Sequence, residues 1–477
     1  DEHMVMDVIL KKAYSNGWLG NVEGGYGLPS DRYLGKAFGM GYSGKMRIAA
    51  FANLNNIKDT QMGSSSGQWN GGWAQDGEMD VKMGGLDYLY SHDRTKLFGN
   101  VTLTHEAPEV EHKGSNVNYF NTGDIVERSH SLRNDRKLHL MSAHQFQYSA
   151  ERAYFELKPS IDYLKNDYTS ISRRAQFSET PEEQYRVQSL DSLFAQNGMA
   201  PSRFTRNLLT RIGNDQDGKS DWMIANLAAN TTISFPTTYD NIEIALAGNY
   251  RRDTNRYLSS FNRVYGNSSP NVGKGDNLFQ KSDYVSKTYG MNADIAYTWN
   301  YRPYQSGAGH YALIKPEIQY DFHCYDQVNT LLHLHEEFAN GANGSMMVPP
   351  SAISPEQLAV DLNNTYASNL TQNKISPLVS FAYLYVPSVS SSKSFNADLT
   401  LRGDISKFTP TIKLRYKNNG QKIRTEIETN YSFTKNVPSI YNQLGTINDS
   451  DPTNIYINNP GLKKPRTHSV NARYARF

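Results

Sequence analysis

Three consecutive runs near the end of the chain, residues 395–405, 408–417 and 423–433, alternate between two kinds of residue. One set of alternate positions is uncharged and mostly apolar, and the positions between them are polar. Such alternation is typical of β-strands, because successive Cβ atoms point to opposite faces. Asn418-Asn419-Gly420 separates the second run from the third, and Asn and Gly readily adopt the positive φ of a tight hairpin turn. The runs therefore predict a meander of antiparallel strands.

The polar face of these three runs carries charges of both signs, whereas the other face carries none. A soluble antiparallel sheet also alternates in this way, so a soluble β-sandwich remains open from this stretch alone. The runs are about twice the usual ~5–6 residues of a soluble strand, however, and match the ~9–11 residues of a membrane-spanning strand. In a barrel, the charged residues face the lumen. They are Asp398, Arg402, Asp404, Lys413, Arg415, Arg424, Glu426 and Glu428.

The composition excludes several classes of protein. The chain has 477 residues, with 49 Lys and Arg against 47 Asp and Glu, and a nucleic-acid binder would show a concentrated basic field instead. Cys324 is the only cysteine, so no internal disulfide forms. No apolar run reaches the ~18 residues of a transmembrane helix. The first residues, Asp1-Glu2-His3-Met4, do not resemble a signal peptide.

The same alternation extends along the whole chain and predicts sixteen long strands. The weakest of them is the second, where Lys36 shares a face with Leu34, Phe38 and Met40 while the opposite face is Gly and Ala. The predicted strands are 18–26, 33–42, 48–57, 79–91, 96–106, 138–148, 153–169, 222–235, 239–253, 284–301, 311–325, 375–386, 395–405, 408–417, 423–433 and 467–474.

The connections between the predicted strands obey a parity. The long insertions follow the third, fifth, seventh, ninth, eleventh and fifteenth strands, and each connection after an even-numbered strand is only a few residues. In a meander these two sets lie at opposite ends. Short turns at one end and long loops at the other are how outer-membrane barrels are built, whereas a Greek-key sandwich has no reason to sort its loops. The sequence therefore predicts an all-β, transmembrane, antiparallel up-and-down barrel.

Local signals add two further expectations. Thr180-Pro181-Glu182-Glu183 is typical of a capping box, and Ser354-Pro355-Glu356 also starts a helix, so short helices are predicted in the long extracellular loops. Pro159, Pro316 and Pro410 lie inside predicted strands. Because proline removes a donor from the hydrogen-bond ladder, we expect a local bulge at each.

Candidate chemical motifs are weak, and the sequence predicts no catalytic residue, metal site or cofactor. Gly63-Ser64-Ser65-Ser66-Gly67 matches a nucleophile elbow but lacks the strand-to-helix context. Asp449-Ser450-Asp451 is better explained as a polar turn than as a calcium site. A cluster near one insertion contains residues that bind metals, although solvated loop residues explain it more simply. Its members are His323, His333, His335, Glu336 and Glu337.

Two tryptophans, Trp69 and Trp73, lie in a loop rich in Gly, Ser and Asn. They are the candidate ligand-binding residues, since an indole ring stacks on a sugar or a peptide. Packing of the loop on the barrel rim is the alternative.

Two stretches resemble the TonB-dependent outer-membrane receptors, in particular the subgroup with an N-terminal carboxypeptidase-regulatory-like domain. Residues 6–12 (Met-Asp-Val-Ile-Leu-Lys-Lys), followed by Trp18-Leu19-Gly20-Asn21-Val22 and Gly25-Tyr26-Gly27, resemble the junction of plug and barrel. Asn459-Pro460-Gly461-Leu462-Lys463 resembles the family's entry to a mid-barrel strand, although Lys464-Pro465 replaces the usual Pro-Glu.

The resemblance implies active import of a nutrient across the outer membrane of a Gram-negative cell. It implies a barrel of about 22 strands around a plug. Residues 1–14 are then the last strand of the plug, and residues 15–477 a C-terminally incomplete barrel. The implied partners are outer-membrane lipid, TonB, the plug in cis and a surface lipoprotein. A passive porin-like barrel and a secreted β-rich adhesin or carbohydrate-binding protein are the alternatives, and the cargo stays open.

Overall fold

The structure is a computed structural model of the chain. In some strands, including residues 396–404, only the backbone is described. Residues 1–14, predicted to be the last strand of a plug, lie outside the described part. The described residues are 16–28, 31–63, 69–71, 77–120, 123–179, 190–194, 205–266, 269, 275–301, 309–334, 360–388, 391–404, 407–420, 423–435, 447–448, 456–457, 461, 463 and 465–477.

The described part of the chain is almost entirely β-strand, and sixteen of its strands form one antiparallel sheet. Two separate ribbons of two residues per strand, Met62–Gly63 with Trp69–Asn70 and Ile447–Asn448 with Tyr456–Ile457, lie in the connections. The sixteen strands are β1 Gly17–Gly27, β2 Arg32–Tyr42, β3 Met46–Asn55, β4 Glu78–His92, β5 Thr95–Asn118, β6 Ile125–Ser149, β7 Ala153–Phe177, β8 Leu208–Phe235, β9 Asp240–Tyr265, β10 Gly275–Tyr301, β11 Gly309–Leu334, β12 Val360–Ser388, β13 Ser391–Asp404, β14 Lys407–Asn419, β15 Arg424–Lys435 and β16 Arg466–Arg476.

Each of these strands pairs with the next one along the chain, so the sheet is a simple up-and-down meander. The predicted number of strands and their order are confirmed. The four longest connections, 56–77, 178–207, 335–359 and 436–465, all follow odd-numbered strands and lie at one end of the sheet. At the other end the connections are tight, as in the hairpin where the Gly420 N–H donates to the Ile423 carbonyl at 3.1 Å.

The central strands β5 to β12 are much longer than their alternation indicated. They contain 24 to 29 residues each, so four predicted loops, 107–136, 170–221, 254–283 and 326–374, are wrong over much of their length. The parts that were missed carry polar residues on both faces, as in Asn214-Asp215-Gln216-Asp217 of β8. A strand that is polar on both faces has no period-2 signal, which explains the error.

The prolines inside strands do not form the predicted bulges. On one side of Pro159 and of Pro316 the ladder lacks two successive pairs, the proline's among them, and then resumes in the same register. At Pro410 the ladder with β15 ends one residue away, at Thr411. The missing N–H is therefore accommodated by a gap in the ladder or by its end, not by an extra residue in the strand. On the other side each proline keeps its partner: Pro159 opposes Leu227, Pro316 opposes Val379 and Pro410 opposes Leu401.

A short helix, α1 (Asp191–Phe194), lies in the connection between β7 and β8. Its Leu193 packs with Phe177, Leu208 and Val126 in a small apolar cluster near the long-connection end of the sheet. The predicted helix starts at Thr180 and Ser354 lie outside the described residues. No helix in the described part of the chain has the length and apolarity needed to cross a membrane.

The two edge strands of the sheet are paired on one side. Within the described ranges, β1 pairs with β2 and β16 pairs with β15, and neither has a second partner. Both strands are highly exposed, with Trp18 at 90% and Val470 at 69%. The sheet is therefore open between β1 and β16.

Candidate functional site

The sheet has two chemically different faces, and one of them carries a continuous apolar belt. We define the apolar belt as the uncharged alternate residues of five neighbouring strands. Its large side chains are exposed, including Leu227 at 52%, Ile295 at 56% and Ile318 at 60%. The cross-strand pairs, such as Ile161 with Ala225, place these residues on one face. The belt comprises alternate residues of 153–163 on β7, 223–235 on β8, 242–250 on β9, 289–299 on β10 and 312–324 on β11.

Ionisable residues mark the limit of the apolar belt on the side of the long connections. On each of the five strands the next residue on the same face is charged. At the tight-turn end the belt is flanked on β9 by Asp240, which accepts a hydrogen bond from the Tyr297 hydroxyl at 2.8 Å. The belt thus spans 9 to 13 residues of each strand between polar borders. The border residues are Lys165, Asp221, Arg252, Lys287 and Asp326.

The opposite side of the sheet, called the polar face here, is defined by the intervening residues of the same strands. Glu156 on β7 is buried there and collects donors from three strands. The Lys158 ammonium lies 2.7 Å from its carboxylate, and the side chains of Gln147 and Asn230 donate to it at 2.9 and 3.3 Å. Gln145 donates to the same carboxylate. A carboxylate with this many donors is held charged away from water.

A second cluster on the polar face lies between β9 and β11. The Lys315 ammonium lies 2.7 Å from the Glu243 carboxylate and 3.9 Å from that of Glu317, which is buried. Gln319 donates to Glu317 as well. Asp294 on β10 opposes Gln319, so the cluster contains three acids around one lysine. Along this face, charged groups therefore pair with groups on neighbouring strands and do not stand alone.

A third cluster fixes the segment after β3 against the polar face. Lys36 is 5% exposed and forms an ion pair with Asp59, while its ammonium donates to the Gln61 side chain at 2.9 Å. The Trp69 ring lies beneath this ammonium at 5.1 Å and meets the Phe51 ring edge-on at 6.2 Å. The candidate ligand residue Trp69 therefore uses its ring in packing, and Trp73 lies outside the described residues.

A fourth cluster lies on the long-connection side of the belt, between β6 and β8. The Arg133 guanidinium donates twice to the Asp135 carboxylate, at 2.8 and 2.9 Å, and lies over the Tyr168 ring at 4.7 Å. Asn166 donates to Asp135 at 2.7 Å. Gly218 opposes Tyr168, and a Cβ at that glycine would lie 2.5 Å from the ring. The glycine thus makes room for the tyrosine ring to lie flat across β8.

The Asp135 carboxyl has a lowered pKa. Burial alone would raise it, but the hydrogen bonds from Arg133 and Asn166 favour the charged form and outweigh that effect. Its folded pKa therefore lies below the ordinary value of 3.8. A lowered acid pKa contributes stability that is fully present above the unfolded pKa and is lost as the pH falls through the folded pKa.

Replacing Asp135 with Asn should therefore reveal a pH-dependent loss of stability. At pH 7 we expect the free energy of unfolding to fall by about 1–2 kcal/mol, because the charged hydrogen bonds to Arg133 are weakened. The difference from the wild type should persist down to about pH 4 and shrink below it. Urea unfolding of both proteins at several pH values measures it. Asp167→Asn, which removes a partly exposed carboxylate 3.8 Å from Lys165 and 3.9 Å from Lys219, is the control and should change little.

The charged residues predicted to face a lumen share the polar face where the structure describes them. Arg415 pairs with Glu426, with Glu428 at 3.9 Å, and Lys413 lies 3.4 Å from Glu428. Arg424 lies over the Phe477 ring at 5.9 Å instead of joining this network. For the other three residues the register alone is described: Asp398 opposes Lys413, Arg402 opposes Thr409 and Asp404 opposes Lys407.

The other candidate motifs gain no chemical partners in the structure. Among the described residues no group of three or more His, Cys, Asp or Glu could hold a metal ion. His323 lies on β11 opposite Gln372. The side chain of His333 and the whole of residues 335–337, 64–67 and 449–451 lie outside what the structure describes.

The buried polar clusters were not predicted from the sequence. Glu156, Asp135 and Lys315 occupy ordinary polar positions of an alternating strand, so nothing in the pattern distinguishes them from solvated residues. The Lys36 cluster was not predicted either, although a signal was present, because Lys36 shares a face with Leu34 and Phe38 in the strand of weakest alternation. A lysine among apolar neighbours is a signal for a buried partner.

Neither a scan against models of known protein families nor a search of curated proteins found a match to this chain. The geometry of the described residues defines the class of protein. It is an all-β protein built on a sixteen-stranded antiparallel up-and-down sheet with one apolar and one polar face.

Proposed function

We propose that this chain forms the wall of a β-barrel in the outer membrane of a Gram-negative cell. The single observation that carries the proposal is the exposed apolar belt. A soluble monomer rarely exposes a contiguous apolar patch larger than a few hundred Å², whereas a membrane-spanning barrel requires one. With ~3.3 Å per residue and a tilt of ~35–45°, segments of this length span about the 25 Å apolar band of such barrels.

Two further features support the same proposal. The charged residues that border the belt, such as Lys165 and Arg252, match the polarity step between hydrocarbon and headgroups. The sorting of long and tight connections to opposite ends matches the loops and turns of outer-membrane barrels. A β-sandwich, by contrast, buries the apolar faces of two sheets against each other, and Ile412 and Ile427 are exposed at 40% and 44%.

Within this class we propose a TonB-dependent receptor that actively imports a nutrient. The stretches at Trp18–Val22 and Asn459–Lys463, which resemble that family, support this step, and so does the charged polar face. The barrel then contains about 22 strands. The strands beyond the sixteen pair with the free edges of β1 and β16, because an unpaired strand edge is too costly in lipid. A plug in the lumen provides partners for charges such as those of Arg415 and Glu428. TonB and a surface lipoprotein are the further partners.

The full-length protein should fractionate with the outer membrane and resist extraction with urea or carbonate. Reconstituted into liposomes, it should not let arabinose enter, because a plugged receptor has no open channel, and uptake by cells should stop when a protonophore removes the proton-motive force. A protein recovered without detergent would support the adhesin alternative and contradict the membrane proposal. Liposomes that swell in arabinose would support the passive porin instead. That result would contradict active import but not the location in the membrane.

A further inference from the structure

Two cations face each other at the border of the apolar belt. Arg252 on β9 and Lys287 on β10 are direct cross-strand partners and lie on the belt's face. Arg252 is exposed and Lys287 is half-buried. Among the described residues neither forms an ion pair within 4.0 Å. Like charges directly opposite each other on neighbouring strands are destabilising, so this pair favours the binding of an anion between the two cations.

Among the described residues no carboxylate lies within 4.0 Å of either cation, although Asp221 on β8 and Asp326 on β11 flank the pair on the same face. Asp253 lies on the polar face, where the Arg251 guanidinium donates to it at 2.7 and 2.9 Å. Asp283 is held by Arg256 at 3.0 Å. Asp326 opposes Lys287 on β11 but forms no ion pair with it within 4.0 Å.

The third border cation, Lys165, has a carboxylate within reach, and so has a lysine on the same face of β4, which makes the pair unusual. Lys165 lies 3.8 Å from Asp167, and Lys82, on the same face of β4, lies 3.9 Å from Asp80. The free positive charge is therefore concentrated at one place on the border, between β9 and β10.

An aromatic and apolar surface lies directly below the two cations. Tyr250 and Tyr289 are the next cross-strand pair toward the tight turns, and their ring centroids are 5.1 Å apart. Below them come Gly248 opposite Met291, and then Leu246, which is half-exposed. From the border inward the protein surface presents two cations, then two phenol rings, then alkyl side chains. A phospholipid presents its phosphate, its glycerol or sugar, and its acyl chains in the same order.

We propose that Arg252 and Lys287 bind the phosphate of an anionic lipid, whose acyl chain lies along Tyr250, Tyr289 and Met291. The guanidinium can donate two parallel hydrogen bonds to phosphate oxygens, and the ammonium supplies a second charge. The bound phosphate removes the repulsion between the two cations. This inference rests on the proposed membrane function and adds to it a lipid site on one defined side of the barrel.

The test compares the wild type with Arg252→Gln/Lys287→Gln in detergent solution, by native mass spectrometry of the full-length protein. The probes are phosphatidic acid, diacylglycerol with the same acyl chains, and inorganic phosphate. We expect the wild type to retain one phosphatidic acid. The variant should bind it roughly thirtyfold more weakly, since each cation near an anionic headgroup contributes about fivefold to the binding constant. Diacylglycerol and inorganic phosphate should not bind.

The control variant, Lys219→Gln/Lys281→Gln, removes two cations from the same face farther from the belt and should bind phosphatidic acid as the wild type does. Arg252→Lys, which keeps the charge, should lose only part of the affinity. Equal binding by the wild type and the double variant overturns the lipid site, and so does binding of inorganic phosphate alone. These results leave the membrane proposal intact, because that proposal is tested separately, by whether the wild type is recovered without detergent.

Discussion

Leu227→Arg should destabilise the folded protein in a bilayer by about 2–4 kcal/mol, the cost of placing Arg on the lipid-facing side of a barrel near mid-depth. Leu227 lies on β8 in the middle of the apolar belt and is 52% exposed. If the belt faced water, the same change would fall within about 0.5 kcal/mol, as most surface substitutions do. The size of the loss therefore distinguishes lipid from water as the solvent of this face.

The adjacent residue provides the matched control. Asn226 is exposed on the polar face, so Asn226→Arg introduces the same side chain one position away on the other side of the sheet. We expect a change of less than about 1 kcal/mol for it, because a lumen-facing position tolerates charge. Urea unfolding in lipid vesicles, followed by tryptophan fluorescence, measures both. Equal losses for the two variants, or no loss for Leu227→Arg, would contradict the membrane assignment of the belt.

The strands could be predicted where one face is apolar and the other polar. All sixteen were found, and nearly all of them in this way, since residues such as Ile242, Ile244 and Leu246 alternate with polar neighbours. The strand extensions toward the long connections were missed for a physical reason. There both faces are polar, and the strand is maintained by ladder pairing with its neighbours, which a single segment of sequence does not display.

The sequence predicts which residues lie on the polar face, but not which of them form ion pairs with each other. Alternation placed Lys413, Arg415, Glu426 and Glu428 on one face, and the structure adds which of them pair. Their pairing depends on register, which is set by the tight turns and by the strands on either side. The buried Glu156 depends on donors from three strands that are far apart in sequence, so no local pattern could identify it.

Asp59→Ala should reduce the free energy of unfolding by about 3–5 kcal/mol, the usual cost of leaving one partner of a buried ion pair alone. The Lys36 ammonium is almost fully buried on the polar face, and Asp59 is the acid that pairs with it. Gln61, its other hydrogen-bond partner, carries no charge and cannot neutralise it. The Trp69 ring offers only a weaker cation–π contact at 5.1 Å.

Lys36→Met should reduce the free energy of unfolding much less than Asp59→Ala does. A side chain of similar volume then fills the space beside Phe51 and Trp69 without a charge. Asp59 keeps a donor in that variant, since the Gln61 N–H donates to its carboxylate at 2.9 Å. In the Lys36→Met/Asp59→Ala double variant most of the loss should disappear, which gives a coupling energy of at least about 2 kcal/mol by urea unfolding. Strictly additive losses would mean that the two charges do not stabilise each other, and that the segment after β3 is held to the sheet by other contacts, such as the hydrogen bonds from Asn53 and Asn55 to the Asp59 carbonyl.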